Sequence, residues 1–250
     1  MKKYLFIFLS LALFASCATK KQILYFQDAE QLNERSSVAI FEPIIEANDI
    51  LHITVSAMDP AVVAPFQMNT NEGLTNNQNP LLRGYLVNKD GTIRFPVLGD
   101  IKVEGKTRGD VVGDLKAKLS NFINDVVVDV RIMNFKVTVI GAVNSPGVYT
   151  IPDERVTLPQ AIGLAGDLTQ DGKRKNIMII REEGGKQKVT RVDFTQTDFY
   201  ESPYYFLKQN DVVYVEPSLK GVKKSGFIPD IPAMLSLLTV VLSTVIILTR

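Results

Sequence analysis

The 250-residue chain has no tryptophan, one cysteine and one histidine. A lone cysteine, Cys17, excludes an intramolecular disulfide, so the fold must hold by packing. A lone histidine, His52, with no cysteine near it excludes the usual zinc ligand sets. The absence of tryptophan argues against a sugar platform built on indole rings. Charge is not skewed either, with 28 basic and 27 acidic residues. If Lys2 and Lys3 leave with a cleaved leader, 26 basic residues face 27 acidic ones, a net of −1. A surface so balanced has no broad field to gather nucleic acid or an acidic polymer. The glycines of Glu183-Gly184-Gly185-Lys186 read as a hairpin, because no helix follows to make them a phosphate loop. Glu182 and Glu183 lie in or beside that turn, where water solvates them. His52 points outward from a strand. The sequence therefore predicts no enzyme, no metal and no cofactor.

What is present starts with Met1-Lys2-Lys3, then an apolar stretch from Tyr4 to Phe14 broken only by Ser10, then Ala15-Ser16. This is the layout of a secretory signal, and it is too short for a crossing of about 20 residues. Phe14-Ala15-Ser16-Cys17 resembles the lipobox of bacterial lipoproteins, with Phe14 where leucine is usual. The resemblance implies cleavage before Cys17 and a lipid on its thiol; two or more acyl chains make a stable anchor. Residues 18–37 are polar and weakly patterned and read as a tether.

The body reads as α+β, with small mixed sheets and one helix each. Residues 50–56 alternate, with Leu51, Ile53 and Val55 on one side, as in a half-buried strand. Asn88-Lys89-Asp90-Gly91 predicts a hairpin between 85–87 and 92–95. Residues 65–80 read as a loop. Thr107 caps a predicted helix over 107–122 with Asp110 three residues on, its stripe being Val111, Leu115, Leu119 and Phe122. Residues 125–143 are rich in β-branched residues and divide near Asn134-Phe135. Ser145-Pro146-Gly147 reads as a type II turn. Thr157, Pro159 and Gln160 open a second helix, with Leu158, Ile162 and Ala165 on one face and Gly166 at its end. Strands follow at 176–181, 189–194 and 211–215. Asn48-Asp49 before the first strand repeats in pattern as Asn210-Asp211 before the last.

In order and spacing these segments resemble the polysaccharide-export family, the outer-membrane lipoproteins of capsule and exopolysaccharide secretion (the Wza type). Asn48-Asp49-Ile50-Leu51-His52-Ile53-Thr54-Val55 stands where the family has Gly-Asp-x-Leu-x-Ile-x-Val. Asp90-Gly91-Thr92-Ile93 continues through Pro96 to Gly99 as Asp-Gly-x-Ile-x-x-Pro-x-x-Gly. The next module resembles a soluble-ligand-binding β-grasp (SLBB) domain. Its marks are Val137 to Val143 around Gly141, then Pro146-Gly147-Val148-Tyr149, then Ala165-Gly166, with Asp167 where the family has a second glycine. The resemblance implies an export domain over 41–135, one β-grasp domain over 136–217, a signal over 1–16 and a lipidated tether over 17–40. It implies a body in the periplasm and an oligomeric ring that carries polysaccharide. It also implies an inner-membrane partner, a polysaccharide co-polymerase that often bears a tyrosine kinase.

After a linker over 218–232, residues 233–249 carry no charge. They are expected to form a transmembrane helix in the outer membrane. Ser236, Thr239 and Ser243 share one stripe, suited to close helix packing and hydrogen bonding, and the resemblance implies that they face neighbours or a lumen. The competing reading is a lipid-anchored β-grasp binding or scaffold module without a pore.

Overall fold

The computed structural model describes residues 23–30, 41–68, 83–218 and 231–248. Cys17 and the predicted signal lie outside these residues. The first sheet is three-stranded, β2-β1-β5, formed by β1 (Ile50–Ser56), β2 (Tyr85–Leu86) and β5 (Val127–Ile132). Both neighbours run antiparallel to β1. Alternation sets the buried face: Leu51 and Val55 from β1 and Val128, Val130 and Ile132 from β5 are buried, while His52, Thr54, Asp129 and Arg131 are exposed. A helix, Arg108–Leu119, packs on the buried face with Val111, Leu115 and Leu119. It starts where expected because Thr107 accepts from the Asp110 N–H while the Asp110 carboxylate accepts from the Thr107 N–H.

Two readings of this domain change. Phe122 is 56% exposed, and Ile123, at 2%, continues the apolar stripe instead. The helix has ended by then, so helical spacing no longer assigns the faces. The expected hairpin also forms elsewhere. The turn at Asn88 closes, with Asn88 N–H to Thr92 O at 2.8 Å. However, β2 pairs with β1, and β3 (Thr92–Phe95) pairs with β4 (Gly99–Lys102). The expected loop over 65–80 begins within a 3₁₀ turn, Ala64–Phe66, which buries Phe66; a short helix, Pro60–Val63, precedes it and buries Val63. The remainder of that predicted loop falls largely outside the described residues.

The second domain is built on five strands in the order β10-β9-β12-β6-β7. These are β6 (Lys136–Gly141), β7 (Gly147–Thr150), β9 (Gly172–Glu183), β10 (Lys186–Val192) and β12 (Val212–Pro217), while β8 (Val156–Thr157) and β11 (Phe206–Leu207) pair antiparallel in a ladder of their own. β12 runs parallel to β6; the other neighbours are antiparallel. Val137, Val139, Ile177, Ile179, Val213 and Val215 point to the buried side. A short helix, Leu158–Leu164, lies there, capped reciprocally by Thr157 and Gln160 and burying Leu158, Ala161 and Ile162. Gly184 and Gly185 make the β9–β10 turn at positive φ, as two-residue hairpins require. Gly147, by contrast, is absent from the left-handed region among the described glycines and begins β7. The segment 145–147 is thus not the type II turn expected, because β7 takes the glycine into its ladder with β6.

The predicted tether is docked where it is described. Phe26 N–H donates to Phe194 O (3.1 Å) and Gln27 N–H to Thr195 O (2.8 Å). Phe26 packs among the rings of Phe194, Phe199 and Tyr200. The aromatic pair Tyr25-Phe26 is what binds this strap within a polar segment.

The C-terminal helix runs from Ile231 to Leu248. Its described side chains, from Met234 onward, are all exposed. The expectation of a transmembrane span is corrected here: among the described residues, no helix is long and apolar enough to cross a membrane. Length is the physical reason, since 18 residues rise about 27 Å against a hydrocarbon core of about 30 Å.

Candidate functional site

The motif residues gather at two places: turns that shape each domain, and the joint between the domains. At the joint, the two Asn-Asp turns are the same device. Asn48 and Asn210 both sit at positive φ (70° and 62°), a conformation that asparagine tolerates. Asp49 accepts from Glu46 N–H at 2.9 Å, and Asp211 accepts from Lys208 N–H at 2.8 Å, each three residues back. The pattern echo is therefore a structural repeat.

The connecting chain is held between these turns. Asn134 donates to Asn48 O and accepts from Ile50 N–H. Gln209 donates to Asn134 O and accepts from Lys136 N–H. Phe135 is 1% exposed, and the buried apolar residues of both domains form one continuous cluster. Beside this joint lies a cavity of about 290 Å³ lined by Phe41, Ile44, Glu46, Asp49, Phe135 and Lys208, among others.

The two aspartates differ in company. Asp211 is fully buried with Arg181, which grips both its oxygens at 2.7–3.1 Å. Arg181 also donates to the carbonyls of Pro203 and Phe206. Asp49 is 1% exposed. Burial pushes its pKa up to about 6, the Glu46 N–H pulls it down, and the Glu46 and Glu154 carboxylates push it up again. Glu154 reaches across from the second domain, with its carboxylate 3.9 Å from Arg108, and burial raises its pKa too.

The other motif positions are backbone positions. Asp90 and Gly91 (φ 70°) close the turn before β3, and the Gly91 carbonyl accepts from Val103 and Glu104. Pro96 and Gly99 frame the β3–β4 tip, where Val97 is held at φ 66°. Gly141 has φ 95°, and a Cβ there would lie 2.2 Å from Val215 O, so the close approach of β6 to β12 requires glycine. Pro146 precedes β7. Ala165 is buried at the end of its helix, and Gly166 follows at φ 72°. Asp167, standing for a glycine, keeps a φ of 72°. Its carboxylate accepts from the Tyr25 hydroxyl at 2.6 Å, and burial together with that contact pushes the Tyr25 pKa up to about 12.

On the C-terminal helix, Thr239 Oγ1 donates to Ser236 O and Ser243 Oγ donates to Thr239 O. These hydroxyl protons are used within the helix, which leaves oxygen lone pairs on the stripe. Sequence reading passed over Arg181, Glu154 and Tyr25, and marked Asp167 only as the departure from the glycine pattern.

Residues 41–133 match the family described as polysaccharide biosynthesis/export protein, and residues 135–215 match the SLBB domain. The chain belongs to the polysaccharide-export family. Among similar proteins of that family is the EPS I polysaccharide export outer membrane protein EpsA of Ralstonia nicotianae, 32% identical over 180 residues, which are 69% of this chain and 46% of EpsA. The capsule polysaccharide export outer membrane protein CtrA of Neisseria meningitidis is 31% identical over 55% of this chain and 36% of its own. The capsule polysaccharide export protein BexD of Haemophilus influenzae is 34% identical over 45% and 29%. The chain thus spans about half the length of the first of these relatives, and less of the others. The joint described above falls where the two family matches meet.

Proposed function

We propose that this chain is a lipoprotein of the outer membrane that exports capsular or extracellular polysaccharide as an oligomeric channel. The observation that carries this reading is the pair of modules, export then SLBB, in one chain related to export proteins over 69% of its length. In this reading Cys17 carries the lipid and the body lies in the periplasm. Each protomer adds its exposed apolar helix, Ile231–Leu248, to an association of like helices. The Ser236, Thr239 and Ser243 stripe then faces neighbours or the lumen. The body stabilises and encloses the path; the driving energy comes from an inner-membrane partner of the co-polymerase class.

The test is surface polysaccharide in the producing cell after chromosomal deletion of 231–250. Loss of surface polymer, with polymer retained inside and the body still folded, supports the channel. Normal surface polysaccharide in that strain refutes it, and the chain is then an anchored periplasmic module.

A further inference from the structure

The sheet of the second domain carries apolar side chains on both faces, and among the described residues only one face is covered. The pairing registers align Val148, Thr138, Val212, Ile180 and Val189 in one row across all five strands, on the side away from the helix. The next row holds Ile140, Tyr214 and Met178 and ends at Arg191. Val148 is 62% exposed, Val189 56% and Ile140 39%. Polar rows flank this band. Lys136 and Glu182 lie on one side; Arg191, Glu216 and Asn176 lie on the other, bonded to one another. An apolar centre with a polar rim is the anatomy of a protein interface. At strand spacings of about 4.8 Å and two-residue rows of about 6.8 Å, the band covers roughly 250–300 Å².

The opposite layer of the same domain carries a second apolar feature. A groove of about 440 Å³ runs beside the short helix and β7, lined by Ile151, Pro152, Val156 and Leu164. Leu164 is 50% exposed, and Asp153 and Arg155 edge the groove. Band and groove thus lie on opposite sides of a two-layer domain; Lys136 and Glu182 stand at one edge of the band, and Asp153 and Arg155 at the groove.

We propose that the apolar band docks a second copy of this chain, head to tail, onto the Leu164 groove. Lys136 and Glu182 meet Asp153 and Arg155 of the next copy at the rim. This inference rests on the oligomeric reading above and adds its contact surface. A closed ring requires two different, complementary patches on each protomer, and a band and a groove on opposite layers meet that requirement. The band alone falls short of the roughly 800 Å² per partner of a standard interface. Ring closure, in which every protomer makes two such contacts, and the shared terminal helices supply the rest.

The experiment uses the full chain extracted in mild detergent. Cys17 is the only cysteine of the chain, and in the lipoprotein reading its sulfur is held in a thioether to the lipid, so introduced cysteines report alone. The double variant Ile180→Cys with Leu164→Cys is expected to give a ladder of dimers, trimers and larger species on oxidation. Each single variant is expected to stay uncrosslinked. A dimer from Ile180→Cys alone means face-to-face pairing and overturns the proposal, as does a double variant without intermolecular disulfide. Ile180→Glu and Val189→Glu, checked for folding by circular dichroism, are expected to shift the protein from oligomer to monomer. A wild-type monomer would sink the channel reading and this contact together. A wild-type oligomer whose size neither substitution changes would sink the contact alone.

Discussion

Asp49 and Asp211 occupy the same backbone turn, and their surroundings decide what each does. Asp211 has Arg181 on both oxygens, in full burial. Removing the arginine side chain leaves a buried carboxylate without a partner, so Arg181→Met is expected to destabilise the fold by about 3–5 kcal/mol. Urea unfolding of the double variant Arg181→Met with Asp211→Leu is the control; it is expected to recover much of that loss, since the charges go together. Asp49 faces carboxylates instead, and its pKa of about 6 stands above the ordinary 3.8. A raised carboxyl pKa means that the folded state prefers the proton. The associated stability is present below pH 4 and is lost as pH rises through about 6. The shift corresponds to a loss on the order of 3 kcal/mol by neutral pH. Asp49→Asn keeps the oxygen that accepts from Glu46 and removes the titration. Thermal unfolding is therefore expected to show the variant gaining on the native chain between pH 4 and 7; parallel curves would contradict this.

Among the elements, those legible in the sequence were the ones specified by local chemistry. Both helices carry reciprocal caps, Thr107 with Asp110 and Thr157 with Gln160, and begin at the residue expected. The strand over 50–56 follows its alternation. The hairpin was misread because a turn motif specifies a reversal but not a partner. Backbone bonds from Asn48 to Val87 and from Val87 to Asp49 draw β2 onto β1, a pairing about forty residues distant along the chain. The joint was half legible: the Asn-Asp repeat showed, whereas the meeting of its copies around Asn134 is a tertiary fact. The strap over 23–30 was hidden because its apolar run, Ile23 to Phe26, is short, has no period and stands inside a polar segment. Phe26 holds it against three rings, and Phe26→Ala is expected to free it. A loss of about 1.4 kcal/mol raises the opened population about tenfold. Limited proteolysis should then cut near residues 23–30 at least that much faster, while the body over 41–218 resists. An unchanged rate would mean that the backbone bonds to Phe194 and Thr195 hold the strap by themselves.

For the whole molecule, the strap and the terminal helix impose a common geometry. The strap docks on the second domain, and the chain leaves that domain again at Ser218, whose N–H bonds Asp171 O. From Cys17 to Ile23 is six residues, a reach of about 20 Å when extended. If Cys17 bears lipid, the second domain lies close to the membrane that holds the lipid, and the terminal helix follows that domain in the chain after residues 219–230. The helix exposes eleven Leu, Ile, Val and Met side chains between Met234 and Leu248. At about 1.5–3 kcal/mol each, burying them offers on the order of 20 kcal/mol, which lipid or neighbouring copies can supply. The two attachments are thus unequal in kind: the lipid holds one chain, whereas the helices gain from gathering. Cys17→Ser with a conventional signal is therefore expected to weaken membrane association but leave detergent-extracted oligomers intact. Deletion of 231–250 is expected to do the reverse, leaving a lipid-held body that sediments as a smaller species. Velocity sedimentation of both variants separates these outcomes. If the deletion variant keeps the full oligomer, the body alone sets the assembly and the helix serves only as an anchor.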